Sequence, residues 1–285
     1  LSLSMASCGL GSETGNGILF RDLDGVISAM DADGNNVRQL LNTEKYDAQP
    51  VWSPDGEHIA FVESIEGLSE GVFVMDADGT NVKRITIAEA SYSDPSWVQG
   101  GRGVAFVSDR DGDNEIVQIL DWESTLFYVD HSNVFSEVPS ISITNNLVHE
   151  RNPSWSPDGE FVVFISERSG YAGIFVADAT GENERRLLED DKNYMRPTWS
   201  PAGDSIAFIA DLGSGSEIFA MSVDGSNVRQ ITDNTTSDFY PVWSPDGKYI
   251  AFTHSENGNR EIFVMNSDGT NAYSTGQYGY PSSWR

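Results

Sequence analysis

One cysteine, Cys8, is all the chain contains, so no intramolecular disulfide can staple it. No run of ~18 apolar residues occurs, which excludes a membrane-spanning helix. Sustained 3.6-residue periodicity between helix caps is also missing, so helices cannot supply the core. Basic side chains are scarce: 17 Lys and Arg stand against 44 Asp and Glu, a net charge of −27. Such a field repels phosphate and excludes nucleic acid as a partner, and its plainest meaning is a solvated acidic surface. The four histidines, His58, His131, His149 and His254, fall at unrelated positions, and no pair has zinc-ligand spacing.

Repetition is what the chain has in abundance. Trp-Ser-Pro-Asp-Gly begins at Trp52, Trp155 and Trp243, with Trp-Ser-Pro-Ala-Gly at Trp199 and a worn copy, Trp-Val-Gln-Gly-Gly, at Trp97. Trp155, Trp199 and Trp243 are spaced by 44 residues, a period that marks a repeat architecture. Within one unit, Pro241-Val242-Trp243 leads into a Ser-Pro-Asp-Gly turn, then Ile250-Ala251-Phe252, a polar loop, Ile262 to Met265, and an Asp268-Gly269 turn. Proline presets φ and glycine supplies positive φ at such turns, so each unit reads as four short antiparallel strands. The middle strands are apolar at successive positions, as in Ile206-Ala207-Phe208, and need cover on both faces. Sheets must therefore shield one another, in a ring or an open stack.

The two ends choose the ring. Ile18 to Phe20, Val26 to Met30 and Val37 to Leu41 supply three strands without a tryptophan strand, and Tyr280 to Trp284 supplies a tryptophan strand without the other three. Joining them removes exposed sheet edges. The expected fold is all-β: a six-bladed β-propeller of four-stranded antiparallel blades, residues 17 to 285, closed by pairing the C-terminal strand with three N-terminal strands.

This grammar of Trp-Ser-Pro-Asp-Gly, Ile-Ala-Phe, Ile-Phe-Val-Met and Asp-Gly-Thr-Asn resembles the TolB-type propeller repeat, a WD-repeat-like unit of bacterial periplasmic proteins. The resemblance covers about residues 17 to 285. It implies a non-enzymatic binding or scaffold protein of a bacterial envelope, acting as a monomer, that captures a protein or peptide partner. Related propellers also include polysaccharide lyases, so a polysaccharide-binding or lyase-like role is the alternative.

Residues 1 to 16 read as a lipoprotein signal remnant and tether. Leu3-Ser4-Met5-Ala6-Ser7-Cys8-Gly9 is similar to the end of a lipoprotein signal, which makes Cys8 the expected lipidation site and the outer membrane, facing periplasm or cell surface, the expected location. A flexible leader with an incidental cysteine is the other reading.

In a propeller, the segments entering the tryptophan strands gather around one end of the channel. They carry the expected partner-binding residues Tyr46, Asp47, Tyr92, Asp94, Arg151, Asn152, Tyr194, Arg196, Asp238, Tyr240, Tyr278 and Tyr280. Tyr and Arg are frequent binding hot spots, although tyrosines here would also pack between blades and arginines pair with nearby carboxylates. Asp109, Asp111 and Asp113 alternate as in a calcium loop but lack the EF-hand spacing, so a plain turn competes with a Ca²⁺ site; no other cofactor is expected. Gly67-Leu68-Ser69-Glu70-Gly71 matches a hydrolase nucleophile pattern, but in a hairpin loop with no helix after it the match is coincidental. The spacing from Trp97 to Trp155 is 14 longer than the repeat, an excess placed at Asp121 to Val138. Its rings Trp122, Phe127, Tyr128 and Phe135 either fold back onto the blade, lengthening two strands, or dock a partner.

Overall fold

A computed structural model describes residues 17–43, 49–64, 70–86, 90–124, 140–188, 190 and 192–285. Cys8, Tyr46, Asp47, most of the Gly-x-Ser-x-Gly segment and the rings Phe127, Tyr128 and Phe135 lie outside them. The described residues form six four-stranded antiparallel sheets. Blade 1 comprises Tyr280–Trp284, Ile18–Arg21, Val26–Met30 and Arg38–Asn42. Blade 2 runs Val51–Trp52, His58–Glu63, Gly71–Asp76 and Lys83–Arg84; blade 3 runs Tyr92–Trp97, Val104–Ser108, Glu115–Ile119 and Ser140–Ser142. Blade 4 runs Glu150–Trp155, Phe161–Ser166, Gly173–Asp178 and Arg185–Arg186. Blade 5 runs Tyr194–Trp199, Ser205–Asp211, Ser216–Ser222 and Arg229–Gln230, and blade 6 runs Ser237–Trp243, Tyr249–Glu256, Asn259–Asn266 and Tyr273–Tyr278.

Each tryptophan strand touches the next, and the strand ending at Trp284 touches both its predecessor and the strand of Trp52, so the innermost strands close a circle. Closure follows the expected pairing: Ile18 lies opposite Trp284, Leu19 opposite Ser283 and Arg21 opposite Tyr280. The middle strands are buried on both faces, Phe61, Phe164 and Phe208 completely. Six apolar layers alternate with the sheets, each built from two neighbouring blades.

The repeated words stitch blades together. Indole N–H groups of Trp97, Trp199 and Trp243 donate to the carbonyls of Val51, Ser154 and Thr198 on the preceding inner strand, at 3.0, 3.1 and 3.3 Å. Trp52 donates to Gly17 O at 3.1 Å, tying the first full repeat to the start of the closure strand. In the Ser-Pro-Asp-Gly turn, Ser53 Oγ donates to Asp55 Oδ1 (2.5 Å) and accepts from His58 N–H (2.9 Å). Where Ala202 replaces the aspartate, Ser200 donates instead to Asp204 at 2.9 Å. The Asp-Gly turns do more than reverse the chain. A Cβ on Gly79 would lie 2.4 Å from Leu40 O, and one on Gly225 2.3 Å from Leu187 O, so glycine permits contact with the preceding blade as well as positive φ.

At the worn copy, Gln99–Gly101 forms a short 3₁₀ turn. Trp122 covers it, donating its indole N–H to Gly101 O at 3.1 Å and packing edge-on to Trp97 (6.1 Å) and to His58 of blade 2 (4.9 Å). The insertion thus folds back as expected at its first ring, but it does not lengthen the third strand, which ends at Ile119.

Candidate functional site at the channel mouth

Every inner strand carries an X-Pro pair near its start. Gln49, Asp94, Asn152, Arg196 and Tyr240 precede Pro50, Pro95, Pro153, Pro197 and Pro241, and their φ angles are 44, 49, 51, 49 and 57°. Left-handed backbone costs a non-glycine residue on the order of 1–3 kcal/mol. Proline makes the arrangement workable, because it has no N–H to place in the ladder and tolerates a bulge. Pairing registers slip at these points, between Ser93 and Ser96, Arg151 and Ser154, Met195 and Thr198, and Phe239 and Val242. A bulge re-aims the side chain it carries. Here all five pre-proline residues line a central channel of about 370 Å³, walled by the six tryptophan strands. Tyr280, before Pro281, holds the sixth position.

Half of this circle is a hydrogen-bond relay. Gln49 Oε1 accepts from Asp94 N–H at 2.6 Å, and the Asp94 carboxylate accepts from Asn152 N–H (3.1 Å) and Asn152 Nδ2 (2.8 Å). Asn152 Oδ1 then accepts from Arg196 N–H at 3.3 Å. Each side chain caps an amide that the next bulge has freed from the ladder.

The other half is stacked. Arg196 lies over the Tyr240 ring at 4.1 Å, and Tyr240 and Tyr280 are 5.0 Å apart at a 57° tilt. Arg21 and Arg260 lie over Tyr280 at 4.8 and 5.6 Å. Closure makes this corner: Arg21 comes from the first strand, and Gly279 N–H donates to Arg260 O at 2.9 Å.

Other expected site residues sit elsewhere. Tyr92 and Tyr194 are buried edge-on against Phe106 and Phe208, and the Tyr194 hydroxyl donates to Asp190 at 2.7 Å. Burial first, then that hydrogen bond, pushes the Tyr194 hydroxyl above its ordinary pKa. Asp238 is fully buried beside His254 Nδ1 at 2.8 Å. All three lie two residues before the bulge residue, where the strand still faces the inter-blade layer. Arg151 pairs with Glu167 at 2.6 Å, and Tyr278 is exposed on the last strand of blade 6. Asp94, Asn152, Arg196, Tyr240 and Tyr280 are the ones brought together. Gln49 joins them, and the X-Pro pair that recurs in each repeat is the signal that marks it.

Among the described residues, one trio of metal-capable side chains has ligand atoms within 4.8 Å of one another: Asp55, Glu57 and His58. Asp55 Oδ1 already accepts from Ser53 and from Glu57 N–H. Asp109, Asp111 and Asp113 form no such group; Asp109 instead accepts from Ser91 N–H at 2.7 Å.

Two blade junctions bury acids. Glu115 of blade 3 meets the fully buried Glu150 of blade 4, which accepts from Ser166 Oγ (2.9 Å), Asn146 Nδ2 (3.0 Å) and Arg168 (3.1 Å). Burial, with Glu150 adjacent, pushes Glu115 up to about 7. At the corresponding place between blades 5 and 6, burial raises Glu217 beside Asp238.

The described residues thus form a closed six-bladed propeller with a circle of side chains at one opening of its channel. The chain belongs to the TolB beta propeller domain family, whose profile matches residues 19–149 and 137–283. It is similar to TolB from Acinetobacter baumannii, with 22% identity over 94% of this chain and 65% of that one at a TM-score of 0.73. This chain therefore spans about two thirds of that relative's length. A putative TolB from Agrobacterium tumefaciens is 22% identical over 93% of this chain and 91% of that one, TM-score 0.72. A chain of a nidogen/laminin complex, 10% identical, superposes over 93% of this chain and 97% of its own with a TM-score of 0.68. At such identities the likeness is one of fold. No curated protein sequence matches.

Proposed function

We propose that this propeller is a non-enzymatic binding or scaffold protein of a bacterial envelope, located in the periplasm, which captures a protein or peptide over the channel mouth. The observation that carries this reading is the run of five pre-proline residues held in left-handed backbone so that their side chains meet at one opening. Strained backbone persists where the surrounding structure over-determines it, and it clusters at ligand clamps. Arg196, Tyr240 and Tyr280 belong to the residue types most often found as hot spots. Membership of the TolB propeller family supports the envelope setting. Attachment through Cys8 would hold the propeller beside a membrane without inserting it.

Immobilised protein is expected to capture a discrete partner from bacterial envelope extract, and Y240A/Y280A is expected to lose it while keeping its melting temperature within a few degrees. Equal capture by the variant, or retention of glycans in place of any protein, would overturn the proposal. Labelled-palmitate incorporation by the wild type but not by C8S tests the anchor.

A further inference from the structure

Three of the 17 basic side chains lie over two neighbouring tyrosine rings, of which Tyr240 lines the channel and Tyr280 stands against it. The guanidinium carbon of Arg196 lies 4.1 Å from the Tyr240 centroid, and those of Arg21 and Arg260 lie 4.8 and 5.6 Å from that of Tyr280. Elsewhere, Arg151, Arg168, Lys192 and Lys248 pair with carboxylates, while Arg185, Arg186, Arg229 and Arg285 donate to backbone carbonyls. Arg21, Arg196 and Arg260 have no carboxylate within salt-bridge distance among the described residues, in a chain with 44 acidic side chains. Arg21 is 93% buried by its neighbours, being only 7% exposed, and donates to the Asp22 carbonyl; Arg196 is half-buried and Arg260 exposed.

Gathering three like charges is unfavourable, and the negative faces of two rings offset it only in part. A guanidinium stacked on a ring keeps its N–H donors in the plane and directs them past the ring edge, in the fork that matches a carboxylate. Chain closure keeps the arrangement rigid, since Arg21 pairs with Tyr280 and Arg260 O accepts from Gly279 N–H. We propose that this corner is an anion subsite that takes a carboxylate borne by the captured peptide, its oxygens held by the forks of Arg196, Arg260 and Arg21 and its stem laid on Tyr240 and Tyr280. This rests on the reading of the mouth as a peptide-capture surface and adds the chemistry that the peptide must bring.

Two probes test it. Arginine Nε–H NMR signals of the intact protein are followed during titration with N-acetylglutamate methylamide and with its glutamine counterpart. The acid is expected to move the Arg196 and Arg260 signals saturably and the amide to leave them in place. R196Q/R260Q is expected to weaken the acid's binding at least tenfold, with R260Q alone, altered at an exposed position, in between. Equal responses to acid and amide, or an unchanged affinity in both variants, overturn the subsite. In the second probe, an array carries peptide pairs in which every Asp and Glu of one member is Asn and Gln in the other. A preference of at least tenfold for acidic members, lost in R196Q/R260Q, supports the proposal. Equal retention of both members removes the anion subsite and leaves peptide capture standing. Retention of no peptide, with oligogalacturonate displacing the glutamate probe, overturns peptide capture itself and this proposal with it.

Discussion

The two halves of the channel mouth are both built on X-Pro pairs and differ in what their side chains do. Gln49, Asp94 and Asn152 are engaged with one another and with bulge amides, so their polar atoms stabilise the fold. Arg196 lies over the Tyr240 ring, which meets Tyr280 at a 57° tilt, so these side chains touch through rings rather than through hydrogen bonds. Repeats in a ring need satisfied backbone at every bulge, but only some of them have to meet a partner. A circle of equivalent positions can thus be divided between side chains whose polar atoms are spent on one another and side chains that meet through rings.

The largest break in this comparison is expected at the stacked half's foundation. Gly279 has φ 141°, and a Cβ there would sit 2.2 Å from Arg21 O, so Gly279→Val should cost about 3 kcal/mol or more and lower the urea midpoint sharply. Next comes the relay. Asp94→Ala leaves both an amide and the Asn152 side chain without their acceptor and is expected to cost about 2–3 kcal/mol in denaturant melts, whatever it does to binding.

The junction between blades 3 and 4 sharpens the contrast through pH. Glu115 has a folded pKa of about 7 against an ordinary 4.5, so the folded state binds the proton more tightly. Its contribution is present in full below about 4.5 and is lost as pH rises through about 7. Glu115→Gln should therefore flatten the fall in stability between those values and raise the melting temperature at pH 8, by ~2–4 °C for each kcal/mol recovered in a domain of this size. The smallest effect on stability is expected for Arg196→Gln. With no ion pair to lose, it should stay within about 1 kcal/mol of wild type by calorimetry, the scale of one exposed cation–π contact. A larger drop would place Arg196 with the structural half.

Most of the fold was legible in the chain because propeller blades are local. Four strands, two turn types and one tryptophan are specified within 44 residues, and termini that complete each other announce closure. The site was legible only in outline. Tyr92 and Tyr194 look like rim aromatics in sequence, yet they stand two residues before the bulge and are buried between blades. Arg151 and Arg196 look equivalent, yet one meets Glu167 and the other a ring. Gln49 lies outside the expected set, although it begins the relay. Trp122 reads in sequence as a ring that folds back onto the blade or docks a partner, but its bond to the worn turn shows only in the fold.

By itself the sequence determined the number of blades, the strand order and the way the ring shuts, since these follow from apolar runs and turn residues whose effects reach only a few positions. Tertiary structure alone decided which side chains face the channel and which are buried between blades. That choice depends on where each bulge slips the register, and on Arg21 and Tyr280, 259 residues apart, lying opposite each other once the circle closes.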